Sequence, residues 1–207
     1  MTATTIDTDF IHVFESGSDP ARRPLLLLHG TGGDEHDLLS LGRTVAPGAS
    51  LLSPRGKVLE GAAPRFFRRL AEGVFDEADL KRRADELAEF VLQARERYGL
   101  PAPIALGFSN GANIAAALLQ QRPEILAGAA LLRAMVPFAE ASPVDLAGKP
   151  VLILSGALDP IVPKSNAETL AWRLSENGAT VEHRVLPAGH GLGQADIGLL
   201  ADWLARN

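Results

Sequence analysis

From Ile104 to Gln121 the chain reads IALGFSNGANIAAALLQQ. It opens with a short aliphatic run, Ile104–Phe108, that has the length and composition of a buried strand. It closes with Asn110–Gln121, apolar nearly all round, as expected of a helix covered on every side. Between the two, Gly107-Phe108-Ser109-Asn110-Gly111 fits the pattern G-x-S-x-G. A serine caught between a strand and a helix must sit on a tight turn, in a strained backbone conformation that projects its hydroxyl outward. Small residues two before and two after it let neighbouring backbone pass without collision. The helix starting at Asn110 also aims its free N–H groups and positive dipole end at the same point. The plainer alternative is a glycine-rich turn whose serine only caps the helix.

Working outward, short apolar runs alternate with helical periods. Phe10–Phe14 alternates like an edge strand, and Pro24–Leu28 is a continuous aliphatic run ended by Gly30, Gly32 and Gly33, the pattern of a strand buried on both faces. Ala49–Leu52, Gly128–Leu132, Val151–Leu154 and Val181–Leu186 read as further strands. Asp79–Tyr98 repeats Leu80, Ala84, Leu87, Val91, Ala94 and Tyr98 at spacings of three and four, with charged residues on the other side, and Gly99 and Pro101 end it. Lys164–Asn177, closed by Gly178, and Gln194–Ala205 are the remaining helices. Strand–helix repetition of this kind specifies an α/β fold, a mostly parallel central sheet with helices on both faces, in one domain over residues 1–207. Pro54–Phe75 is the longest stretch without clear periodicity, and long irregular loops in compact domains are often functional.

A serine hydroxyl is a weak nucleophile until an imidazole takes its proton, and the imidazole needs a carboxylate to fix its tautomer. On strand–turn–helix serines of this type the chain order is Ser, then Asp or Glu, then His. Only His183 and His190 follow Ser109. His183 falls inside a strand, where its side chain faces one side of the sheet, so it reads as a surface or packing residue. His190 lies in Pro187-Ala188-Gly189-His190-Gly191-Leu192, a loop after the last strand, and is the expected base. Asp159 follows the strand Val151–Leu154 and so belongs at the carboxyl edge of the sheet, with Ser109; open parallel sheets place their sites there. Asp145 precedes that strand, and Asp196 and Asp202 fall in the last helix, leaving Asp159 as the orienter.

Negative charge develops on the carbonyl oxygen during acyl transfer, so donors must be waiting for it. The expected pair is the backbone N–H of Asn110 and that of Thr31, in the glycine-rich loop His29-Gly30-Thr31-Gly32-Gly33. His29, Asp34 and His36 match no zinc spacing, so neither a metal nor a cofactor is expected.

Composition removes other classes. There is no cysteine, which excludes disulfides, thiolate metal sites and a cysteine nucleophile. The formal charge is -5 and the basic residues are scattered, so nucleic acid is not an expected partner. Met1 to Asp9 is polar without a basic start, unlike a signal peptide, and no apolar run is long enough to span a bilayer. A cytoplasmic protein with no membrane partner is the expectation.

With these residues placed, the chain resembles the α/β-hydrolase superfamily, and within it the small phospholipase/carboxylesterase branch that includes acyl-protein thioesterase-like enzymes. The resemblance is carried by HGTGGDE at 29–35, SPRG at 53–56, RFFRRL at 65–70, GFSNGA at 107–112, LLRAMVP at 131–137, SGALDPIVP at 155–163 and AGHGL at 188–192. It implies the α/β-hydrolase fold with an eight-strand sheet and no cap domain, often as a homodimer; one strand-like segment before Leu25 points to a trimmed first hairpin. It also implies a serine carboxylesterase acting on short-chain or aryl esters. Arg55, Phe66, Phe67, Arg68 and Arg69 are expected to fold over the site, the rings walling an acyl or aryl pocket and an arginine steering polar groups; the alternative makes the rings core and the arginines solvated. Met135, Val162 and Leu192 are expected to add apolar contacts. A thioesterase or lysophospholipase would share the triad and differ in its pocket, and a non-catalytic ligand receptor could keep the same fold.

Overall fold

The computed structural model describes residues 9–140 and 142–207; the N-terminal stretch read as unlike a signal peptide lies, up to Thr8, outside them. Along the chain β1 (His12–Glu15), β2 (Leu25–Leu28), α1 (Leu39–Val45) and β3 (Leu51–Pro54) come first. Two small hairpins follow, β4 (Val58–Glu60) with β5 (Ala63–Arg65) and β6 (Arg69–Ala71) with β7 (Val74–Phe75). Then come α2 (Glu77–Tyr98), β8 (Ile104–Phe108), α3 (Asn110–Gln121), β9 (Gly128–Leu132), β10 (Pro150–Gly156), α4 (Lys164–Glu176), β11 (Thr180–Leu186) and α5 (Gln194–Leu204). The sheet runs β1-β3-β2-β8-β9-β10-β11, with β1 antiparallel to β3 and every other pairing parallel. Among the described residues it has seven strands, not the eight implied by resemblance, since β1 alone precedes β2.

Unbroken aliphatic runs become strands because each side of the sheet is covered. Leu26 and Leu28 join Ala105, Ala129, Leu131, Val151 and Ile153 in the core under α2, α3 and α4. Leu25 and Leu27 join Ile104, Leu106, Ala130, Leu132, Leu152 and Leu154 in a second core under α1 and α5. Side-chain alternation along each strand thus divides one hydrophobic sequence between two layers of helices. Asp76 starts α2 by accepting the N–H of Asp79 at 3.0 Å, and Gly99, in the left-handed conformation at φ 66°, ends it.

The sequence pattern missed α1, a helix of seven residues with Gly42 in its middle. It also left 54–75 without structure, where the chain forms the two hairpins; strands this short carry too few residues for alternation to show.

One contact sets the geometry of the rest. A Cβ added to Gly111 would lie 2.0 Å from the carbonyl oxygen of Leu28, and one added to Gly107 would lie 2.5 Å from that of Gly111. The start of α3 therefore rests against the end of β2, backbone on backbone. Gly111→Ala should cost about 3 kcal/mol or prevent folding. Gly198→Ala, at an exposed position in α5 where an added Cβ meets nothing, should stabilise by up to about 1 kcal/mol. Denaturant unfolding of both variants checks the pair.

Candidate active site

Each strand of the parallel region releases its loop at one edge, and those loops carry the polar side chains. Leu28 leads to the loop 29–33, Phe108 to Ser109, Gly156 to Asp159 and Leu186 to His190. Ser109 has φ 52° and ψ −112°, the strained turn expected of a serine forced between strand and helix. Its N–H donates to Leu132 O at 2.8 Å, which ties the turn to β9. The hydroxyl makes no helix-capping bond, against the plainer reading of the motif. It lies instead 2.9 Å from His190 Nε2.

His190 Nδ1 is 2.8 Å from Asp159 Oδ2. An ionised carboxylate can only accept, so Nδ1 carries the proton and Nε2 is left to accept the Ser109 O–H. The other carboxylate oxygen of Asp159 accepts the N–H groups of Ile161 at 2.8 Å and Val162 at 3.0 Å. Burial disfavours the charge on Asp159, but the Val162 and Ile161 N–H groups and His190 outweigh it and hold the carboxyl below its ordinary range. The Asp159 side chain is fully buried and that of His190 is 20% exposed, so the acid is enclosed and the base opens to the cleft. The Phe108 ring packs against the imidazole at 5.4 Å.

The cleft encloses about 330 Å³. Thr31, Ser109, Asn110 and His190 line it together. Asn110 is the first residue of α3, so its N–H has no intrahelical acceptor. Its side chain is fixed as well: Oδ1 accepts the Phe66 N–H at 2.7 Å, leaving Nδ2 a buried donor without an acceptor among the described residues. Thr31 is held from the other side, its hydroxyl accepting from Arg65 Nη1 at 2.7 Å, while Gly32 N–H donates to Pro64 O at 2.9 Å. The hairpin β4–β5 thus braces both loops that carry the expected oxyanion donors.

The substrate-contact expectations divide. Met135 and Val162 line the cleft. Phe66 and Phe67 do not: both are buried in the core under α2 and α3, where Phe66 meets the His29 ring at 4.7 Å. Arg55 does not either, because its guanidinium is paired with Glu35, with Nη2 donating to Oε1 at 2.7 Å. That bond holds the Glu35 carboxyl low against the cost of its burial. Leu192 packs on the second core, beside α5. His29, weighed as a metal ligand, is structural: Nδ1 donates to Gly30 O at 2.7 Å and Nε2 accepts the Gly56 N–H at 3.0 Å. His183 is half-buried, its Nε2 2.7 Å from Ser155 Oγ.

The cleft wall also contains Arg69, one of the arginines expected over the site, and Arg65, Asn113 and Arg133, which sequence reasoning missed. Arg65 is almost wholly buried, and burial together with the charge of Arg69 depresses its pKa. For Arg133 a signal existed: it is one charged residue in the apolar run LLRAMV, directly after a strand at the active edge.

A model described as the alpha/beta hydrolase fold matches residues 23–148, more than half of the chain. The chain belongs to the α/β-hydrolase fold family. MhqD of Bacillus subtilis (strain 168) is 46% identical over 194 residues, covering 93% of this chain and 96% of that one. The crystal structure of a Bacillus cereus carboxylesterase superposes with a TM-score of 0.94 at 44% identity, covering 97% of this chain and 95% of the other. YahD, solved with malic acid, is 31% identical with a TM-score of 0.90, covering 96% and 99%. This α/β-hydrolase is an ester hydrolase. Among its described residues no helix is long and apolar enough to cross a membrane.

Asp159→Asn should remove the stability that the ionised carboxylate contributes. Because that pKa is lowered on folding, the contribution is full above the ordinary carboxylate range and lost as the pH falls through the folded value. The stability gap between wild type and Asp159→Asn, measured by urea unfolding, should therefore be widest near pH 7 and close in acid. Steady-state turnover should fall by about 10⁴-fold, because an amide that donates to Nδ1 selects the wrong tautomer.

Proposed function

We propose that this chain, acting as one domain, hydrolyses short-chain or aryl carboxylic esters through an acyl-serine intermediate on Ser109. The observation that carries the proposal is the continuous chain of bonds from Asp159 through His190 to the Ser109 hydroxyl, at 2.8 and 2.9 Å. His190 Nε2 takes the hydroxyl proton as Oγ attacks the carbonyl carbon. The resulting oxyanion meets the N–H groups of Thr31 and Asn110. The Nε2 proton then passes to the leaving alcohol, and the acyl group stays on Oγ. Water enters, gives a proton to Nε2 and attacks the acyl carbon; Oγ recovers its proton as the acid departs. No metal or cofactor takes part in this sequence.

The volume of the cleft, about 330 Å³, favours small acyl groups over the long chains of a lysophospholipid or a fatty acyl thioester. Its wall combines apolar Met135, Ile161 and Val162 with cationic Arg65 and Arg69. The malic acid in YahD, a small polar acid in a relative, supports esters whose acyl part carries a polar or anionic group.

Ser109→Ala should reduce kcat/KM on 4-nitrophenyl acetate by about 10⁴-fold or more. Across 4-nitrophenyl esters, acyl-CoA thioesters and lysophospholipids, turnover should peak on acyl groups of about two to four carbons. Ser109-dependent turnover that peaks instead on long-chain thioesters would favour the thioesterase reading; turnover that survives Ser109→Ala would remove the serine mechanism.

A further inference from the structure

His190 sits on a loop with glycine on each side, which gives its backbone more conformational freedom than most residues have. Its own side-chain contacts are those to Asp159, Ser109 and Phe108 already described. Something else must hold the loop.

Arg133 does so with its whole hydrogen-bonding capacity. Nε donates to Gly189 O at 3.0 Å and Nη2 to Gly191 O at 3.1 Å, the carbonyls immediately before and after the base. Nη1 donates to Leu154 O at 3.1 Å, inside the strand that leads to Asp159. The remaining N–H bonds form a fork on Asp196: Nη1 to Oδ1 at 2.8 Å and Nη2 to Oδ2 at 3.0 Å. Both side chains are buried, at 0% and 3% exposure. Asp196 Oδ2 also accepts the Gly193 N–H at 2.9 Å, which fixes the far end of the loop. On the main chain, Leu132 O accepts from Ser109 N–H, and Arg133 N–H donates to Leu154 O at 2.9 Å. Arg133 therefore ties the strand of the acid to the loop of the base, while its neighbour Leu132 holds the turn of the nucleophile. Arg133 does so at φ 58°, a left-handed conformation that is strained for a residue with a side chain.

A buried ion pair is a poor way to stabilise a core, since apolar residues of similar volume often do as well or better. What apolar residues cannot do is bond the carbonyls on either side of His190. Lysine, with a point charge in place of a planar fork, could meet only some of these acceptors. We propose that Arg133, held in place by Asp196, is the positioning residue that keeps His190 Nε2 within reach of Ser109 Oγ. The proposal rests on the serine mechanism above.

Three variants of the full chain test it: Arg133→Met with Asp196→Leu together, Arg133→Lys alone, and Ser109→Ala as the control. The paired variant removes both charges, so no uncompensated ion is left in the core, and its thermal midpoint should stay near that of wild type. Its kcat on 4-nitrophenyl acetate should fall about 100-fold, the usual consequence of a base displaced by about an ångström, with KM within threefold. Phosphonylation of Ser109 by a fluorophosphonate should slow in parallel. Arg133→Lys should recover part of the rate. A folded paired variant whose kcat stays within threefold of wild type would overturn the proposal. So would a loss expressed in KM alone. If the paired variant does not fold, Arg133→Lys decides: undiminished kcat overturns the role, and a kcat about tenfold lower with unchanged KM supports it. Turnover that survives Ser109→Ala contradicts the mechanism itself, whereas Ser109-dependent turnover that is indifferent to position 133 contradicts this inference alone.

Discussion

The backbone contact between the start of α3 and the end of β2 is the constraint on which the rest of the structure depends. A helix this close to the sheet admits no side chain at Gly111, and the turn entering it admits none at Gly107. The residue between must turn sharply, and Ser109 does so at positive φ. The same proximity points the hydroxyl away from the sheet and leaves the N–H of Asn110 free at the head of the helix. The strain at Ser109 is local and is offset by the burial of α3, which is apolar over most of its surface.

From that fixed point the site is completed by loops that leave the same sheet edge, each with its own restraint. The loop of Asp159 is held by its own carboxylate on the N–H groups of Ile161 and Val162. The loop of Thr31 is held by Arg65 and Pro64, and beyond it the segment at Glu35 by Arg55. The segment 54–75 is therefore both a wall of the cleft, through Arg65, Arg69 and Phe75, and a brace for the neighbouring loops. Phe66 and Phe67 anchor it in the core, and its backbone and arginines bond to the neighbouring loops.

What the sequence made legible, and what it did not, follows from where the physical signal lies. Parallel strands announce themselves because both faces are buried, and a functional residue just after such a run must sit at the carboxyl edge. That logic located Ser109, Asp159 and His190, and the structure brings their side chains within hydrogen-bond reach. Alternation and helical periods cannot assign a short irregular segment, so Phe66 and Phe67 read equally well as pocket or as core. Two adjacent rings buried together do not fit one side of a strand, and that was the available hint. Arg55 and Arg65 are equally indistinct in sequence; only tertiary packing makes one a half-buried partner of Glu35 and the other a buried wall of the cleft. Asp196 was set aside for falling in the last helix, and its bond to Arg133 depends on a contact far along the chain.

The central claim is that the hydroxyl at 109 becomes a covalent carrier of the acyl group. Intact-mass and peptide-mapping measurement of the protein, quenched in acid within milliseconds of mixing with a 4-nitrophenyl ester, tests it most directly. The account predicts one added acyl group per chain, mapped to Ser109, appearing and decaying at rates compatible with turnover. Turnover with no acyl adduct at that residue, or an adduct on another side chain formed at the catalytic rate, would contradict it.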